Sequence, residues 1–308
     1  MSKLVYKNFL FLFIVQFSNY VLPFLVIPLL TRTLGVEGFG KYAFYLGIAN
    51  LLLVFVRFGF EFSATRSISI HSDNKVKITE IVSAVLIIKF ILLCLTVLVF
   101  ILGVIFIKPD EQIVRILFGG SFVLIGQMLL PIWYFQGIQQ MKYVTFYTVI
   151  TKVIYVGLLF ALIRNANDYG VAVLVYGVAF FIAGLISALH MLKQVGFSLA
   201  LGIANVKVAF DEALPFFTSR AFVMGYTSSM IPLIGFIGTS TQVAIYSASE
   251  KLYNALQSLM FPLANALYPY IAKNKDINLF KKLFFLAMCC LVVVCIAGYF
   301  IAPYLIVF

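Results

Sequence analysis

Nine apolar runs dominate this chain, at about 8–30, 42–60, 81–107, 115–135, 143–163, 170–190, 212–237, 242–270 and 283–307. A helix needs about 20 such residues to cross the hydrocarbon of a bilayer, so each run is a candidate span. The runs are continuously apolar rather than alternating with period two, which predicts helices and excludes a barrel. Composition agrees: 63% of the residues are hydrophobic and 11% charged, too few charges to cover a soluble surface. The expected fold class is all-α, a polytopic membrane protein of about nine transmembrane helices.

The net charge of +11 in a soluble protein would suggest nucleic acid; here it reports topology, and no nucleic-acid partner is expected. With the N-terminus placed in the cytoplasm, thirteen basic residues fall near cytoplasmic span ends and six near the opposite ends, as the positive-inside rule requires. Lys3 and Lys7 precede an apolar run that has no small-residue cleavage site and continues into Pro23 and Pro28, so it is read as a span and not as a leader. Cys94, Cys289, Cys290 and Cys295 all lie in apolar runs and are read as small buried packing residues, neither disulfides nor a metal site.

A repeat organises the spans. Pro28 to Tyr42 joins the first two runs through Gly35, Gly38 and Gly40, a tight hairpin. Pro232 to Tyr246 repeats the 14-residue step from proline to tyrosine at an offset of 204 residues, and at that offset the polar loop at 273–282 matches the loop at 69–78. Six spans separate the copies, an even number, so both halves share one orientation. The expected domains are a six-helix bundle at 1–204 and a partial second bundle of three helices at 205–308, around a central cavity. Counterparts of spans four to six are missing from the second bundle, and the end of the chain in an apolar run is read as a truncation.

Charges within or at the edge of apolar spans each need a partner, water or an anionic ligand, because burying them in hydrocarbon costs from about 2.5 kcal/mol upward. Those singled out are Arg57, Lys89, Lys152, Arg220 and Lys251. Arg57 and Glu61, four apart, are expected to pair along one helix face, and Lys89 can snorkel toward the interface. Trp133, Tyr134 and Tyr143 are expected to form an interfacial aromatic belt. His71 and His190 are read as solvated residues at span ends.

The segments Pro28…Arg32-Thr-Leu-Gly…Phe39-Gly-Lys-Tyr42, Arg66, Trp133…Gln136-Gly137 and Tyr246-Ser…Glu250-Lys251 resemble the polysaccharide-transporter family, specifically its O-antigen flippases, along the whole chain. The resemblance implies a multi-pass transporter of the bacterial inner membrane, within the multidrug/oligosaccharidyl-lipid/polysaccharide exporter superfamily. Its implied task is to move undecaprenyl-diphosphate-linked O-antigen or related repeat units from the cytoplasmic to the periplasmic leaflet. Membrane lipid, the lipid-linked oligosaccharide and other polysaccharide-assembly membrane proteins are the implied partners. No enzymatic activity, cofactor or metal is expected. In this reading Arg220 and Lys152 attract the diphosphate or acidic sugars, with Lys251, Arg57 and Lys89 as further cavity cations. Asn19, Ser228 and Asn254 hydrogen-bond the glycan. Glu250 and Glu61 are the acids available for coupling to protons or sodium. A multidrug antiporter of the same superfamily is the alternative; it would want intramembrane carboxylates where this chain has lysine and arginine. A membrane enzyme of glycan assembly would want a sizeable extramembrane loop carrying acids or histidines.

Overall fold

The computed structural model describes the backbone of residues 3–107, 111–198 and 203–254, and side chains of Ser18, 25–106, 111–198 and 205–254. Every regular element in them is helical: α1 (Lys3–Arg57), α2 (Phe60–Ile70), α3 (Lys75–Ile107), α4 (Ile113–Leu129), α5 (Ile132–Gly137), α6 (Met141–Leu162), α7 (Tyr169–Val195), α8 (Ile203–Thr227) and α9 (Met230–Ile237). A last helix, α10, covers 240–254. Four helices between Lys75 and Val195 are long and apolar enough to cross a membrane, as is the stretch Leu25–Ile70; α8 and α9, bent by 43° at their junction, make a further candidate together. The chain is an all-α polytopic membrane protein. The rest of span eight and all of span nine lie outside the described residues.

α1 is not one straight rod. Gly35 leaves helical geometry at φ 70°, ψ 173°, a left-handed φ that a side chain would resist. Ser18 and Tyr42 show what this break does. A straight helix would hold them about 36 Å apart, yet Ser18 Oγ accepts from Lys152 at 3.1 Å and the Tyr42 hydroxyl meets that of Tyr155 at 2.5 Å. Lys152 and Tyr155 are neighbours on α6. The chain therefore reverses at Gly35, as the glycine-rich hairpin predicts.

From there the connections alternate between two ends of the molecule, as repeated crossing demands. At the Gly35 end, a methyl on Gly38 would stand 2.9 Å from the Ala166 carbonyl oxygen between α6 and α7. The Gln112 side chain before α4 holds Asn167 and, at 3.0 Å, the Gly170 amide, and Gly40 lies against Ser240. At the opposite, His71 end, Thr65 and Ser69 donate to the carbonyls of Trp133 and Gly137 at 3.1 and 3.0 Å. Thr79 donates to the Val195 carbonyl at 2.9 Å.

The tightest helix pair is α4 with α7. A methyl on Gly126 would lie 2.6 Å from the Phe180 carbonyl oxygen, and one on Gly184 would lie 2.5 Å from that of Gly126. Small residues of this kind let backbones touch, which is how helices pack in lipid, where dispersion replaces the hydrophobic effect. Two apolar cores result. One runs from Leu30 and Phe39 through Phe100 and Leu124 to Val173; the other, toward the His71 end, gathers Phe60, Val82, Val85, Trp133 and Phe135.

Four expectations need correction. Trp133 and Tyr134 do not belt the interface: both are buried in the second core, since α5 packs against α2 and α6. Cys94 is exposed, on the outer face of α3; the other three cysteines fall outside the described residues. His190 is not merely solvated, because its Nδ1 meets the Tyr147 hydroxyl at 2.8 Å and its Nε2 the Gln194 amide at 2.9 Å. Lys89 does not snorkel, as described next.

Candidate functional site

Span two ends in Arg57, where α1 gives way through Gly59 (φ 74°) to α2. The helical phase returns at Glu61, and Arg57 Nε lies 3.5 Å from Glu61 Oε1, the pairing that their spacing predicts. The other arm of the guanidinium donates from a terminal nitrogen to Gln127 Oε1 on α4 at 3.3 Å. The next residue of α4, Met128, offers its carbonyl to Lys89 Nζ at 3.0 Å. Lys89 is 3% exposed; the end of α4 gives its ammonium an acceptor within the bundle, so its chain has no need to reach the interface. Arg57, Glu61 and Lys89 are thus brought together through consecutive residues of α4. Gln127 is the member the sequence reading missed, and a lone amide in an apolar span was the available signal.

Lys152 belongs to a second polar group. With Ser18 on α1 and the Tyr42–Tyr155 hydroxyl pair one turn away, it forms a hydrogen-bonded layer between α1 and α6 nearer the Gly35 end. The side chain of Asn19 lies outside the described residues.

α8 and α9 pack on α1, α2 and α3 along a seam. Phe58 stacks on Phe217 and Phe210 with ring centroids 4.5 and 4.9 Å apart, and Phe62 on Phe216 at 5.7 Å. Further along, Phe44 meets Phe236 edge-on at 5.5 Å. Arg220 lies at this seam, exposed, with its guanidinium 4.8 Å from the centre of the Phe62 ring. No carboxylate pairs with it among the described residues. A ring face attracts the cation and leaves its in-plane N–H donors open. Lys251 Nζ rests 5.6 Å from the centre of the Phe39 ring near the Gly35 turn. Ser228 donates to Met224 Sδ at 3.3 Å at the end of α8, while Glu250, half-buried, and Asn254, exposed, follow on α10.

The candidate residues therefore separate into three places: the Arg57–Glu61–Lys89 group with Arg220 across the seam, the Lys152 layer, and Lys251 near the Gly35 turn with Glu250 beside it in sequence. No group of three or more His, Cys, Asp or Glu side chains among the described residues could hold a metal ion.

A protein of Escherichia coli (strain K12) called "Putative O-antigen transporter" is 32% identical over 279 residues, covering 89% of this chain and 66% of its own length. A protein of the same name from Shigella dysenteriae is 32% identical over 279 residues, covering 90% of this chain and 70% of its own. The chain thus spans about two thirds of the length of these curated relatives. No solved structure matches it. The family model described as polysaccharide biosynthesis protein matches residues 5–275, and the chain belongs to that family.

Proposed function

We propose that this protein is a polysaccharide flippase of the bacterial inner membrane, moving lipid-linked O-antigen or related repeat units from the cytoplasmic to the periplasmic leaflet without covalent chemistry. The observation that carries this reading is the 279-residue match to relatives named as O-antigen transporters. The charge pattern supports it. An undecaprenyl diphosphate-linked glycan has a headgroup that hydrocarbon rejects and a tail that hydrocarbon accepts, so the protein must supply cations and hydrogen bonds only along the headgroup's path.

Arg220 is the strongest candidate for meeting the diphosphate, because its donors are open and guanidinium matches phosphate oxygens in a bidentate manner. Arg57 and Lys89 hold positive potential beside it, while Lys152 and Lys251 extend it toward the Gly35 end. Ser228, Asn254 and Asn19 are assigned to the sugars, and Glu61 and Glu250 are the acids that coupling to an ion would use. In this proposal 1–204 and the segment from 205 are the two bundles that flank the path, and the basic loops at the His71 end face the cytoplasm.

Deleting the gene should cause lipid-linked repeat units to accumulate in the cytoplasmic leaflet, with surface glycan lost and restored by the full chain. Normal surface glycan in the deletion strain, with no lipid-linked intermediate retained, would contradict the proposal.

A further inference from the structure

At the His71 end, one face each of α2, α3 and α8 draws apart around a cavity of about 240 Å³. Ala64, Ala84 and Ala209 leave the room, and Phe60, Val85 and Val208 supply apolar wall. The polar lining is unevenly satisfied. Lys77 is engaged by Glu80 at 2.8 Å. Glu212 accepts a hydrogen bond from Ser67 Oγ at 2.8 Å and forms no ion pair among the described residues. Ser63 is 4% exposed, lines the same cavity, and its hydroxyl has no hydrogen-bond partner.

A buried hydroxyl without a partner is costly and calls for a ligand group. The same cavity is lined by Glu212, an exposed carboxylate that forms no ion pair among the described residues, and by Lys77 and His71. The antiparallel run of α2 against α8 sets Ser63, Ser67 and Glu212 within neighbouring turns, so one small group can reach two or three oxygens. A group with several N–H donors, a positive charge and a short alkyl stem satisfies the lining: a primary ammonium has three donors, whereas a quaternary ammonium has none.

We propose that this cavity is a binding site for a primary ammonium group carried on a short alkyl stem, with Glu212 as its counter-ion and Ser63 as a hydrogen-bond acceptor. The site lies apart from Arg220 and does not rest on the transport reading. Ethanolamine headgroups of membrane lipid and free alkyl amines share this chemistry.

The test is thermal unfolding of the delipidated full chain in detergent, followed by fluorescence of Trp133. This is its single tryptophan, packed in one core with the cavity residues Phe60 and Val85. The probes are dihexanoyl phosphatidylethanolamine, the matching phosphatidylcholine, and ethanolamine itself. A saturable rise in Tm is expected with ethanolamine-bearing probes and not with the choline lipid. Glu212→Gln keeps the shape and the acceptor for Ser67 but should weaken binding about tenfold or more, as loss of a charge-assisted contact does. Ser63→Ala should weaken it severalfold, which gives a second readout if the first variant folds poorly. A response to the lipid alone supports the proposal and identifies a membrane source; a response to ethanolamine as well supports it and identifies free amines. No saturable shift with either amine, an equal shift with the choline lipid, or unchanged binding in both variants would overturn it.

Discussion

The candidate cations are held differently in the two regions of the described molecule. In α1–α7, Arg57, Lys89 and Lys152 each reach an oxygen on another helix or on the next turn. In α8–α10, Arg220 and Lys251 rest on rings contributed by the first half. Fully buried apolar residues are dense from Leu30 to Met191, although both regions expose large apolar side chains, Phe106 at 85% and Phe222 at 82% among them. A cation tied to carbonyls and amides holds helices together; a cation lying on a ring keeps its donors available. On the proposed function, the first kind serves the scaffold and the second is free to meet an anion.

The largest effect should come from the scaffold itself. Gly126→Leu forces α4 from α7 where a single methyl already collides with the Phe180 backbone, and overpacking of this kind costs about 1–3 kcal/mol or more. Loss of folded protein in size-exclusion and melting assays is expected; a variant melting like wild type would break the claim that the close α4–α7 contact holds the scaffold together.

The next pair sharpens the comparison directly. Arg57→Ala strands Glu61 and Gln127 and should lower stability by about 1–3 kcal/mol, together with transport. Arg220→Ala should leave the melt near that of wild type and abolish most translocation. Equal loss of stability in both would erase the distinction.

Within the first half, Tyr42→Phe leaves the buried Tyr155 hydroxyl without its partner and should cost about 1–3 kcal/mol, while Tyr42→Phe with Tyr155→Phe should recover part of that. Purely additive losses would show that the two hydroxyls are not coupled. Smallest of all, Glu37→Ala removes an exposed i,i+4 pair with Lys41 at 3.2 Å and should change stability by less than about 0.5 kcal/mol.

What the sequence made legible was local or periodic. The nine apolar runs announced the class, Gly35 the reversal, and the spacing of Arg57 and Glu61 their pairing, because each depends on neighbours along the chain. The partner of Lys89 was not legible: it requires the end of α4 to approach α3, which a snorkelling argument about one helix cannot foresee. Trp133 and Tyr134 were misplaced for a similar reason, since an amphipathic ring suits an interface or a core and only packing decides between them. The α4–α7 contact could have been read. Gly119 and Gly126 on one helix, and Gly170, Gly177 and Gly184 on the other, step by seven residues and mark faces built for close approach.

The central claim is that the exposed cation at the seam, and not the satisfied ones within the bundle, meets the anionic headgroup. Full chain in proteoliposomes, loaded with a fluorescent polyprenyl-diphosphate glycan in one leaflet, tests it most directly. The account predicts protein-dependent translocation that falls by about tenfold or more in Arg220→Ala while the melting temperature holds. Translocation at the wild-type rate in that variant, or none by the unmodified protein, would contradict it.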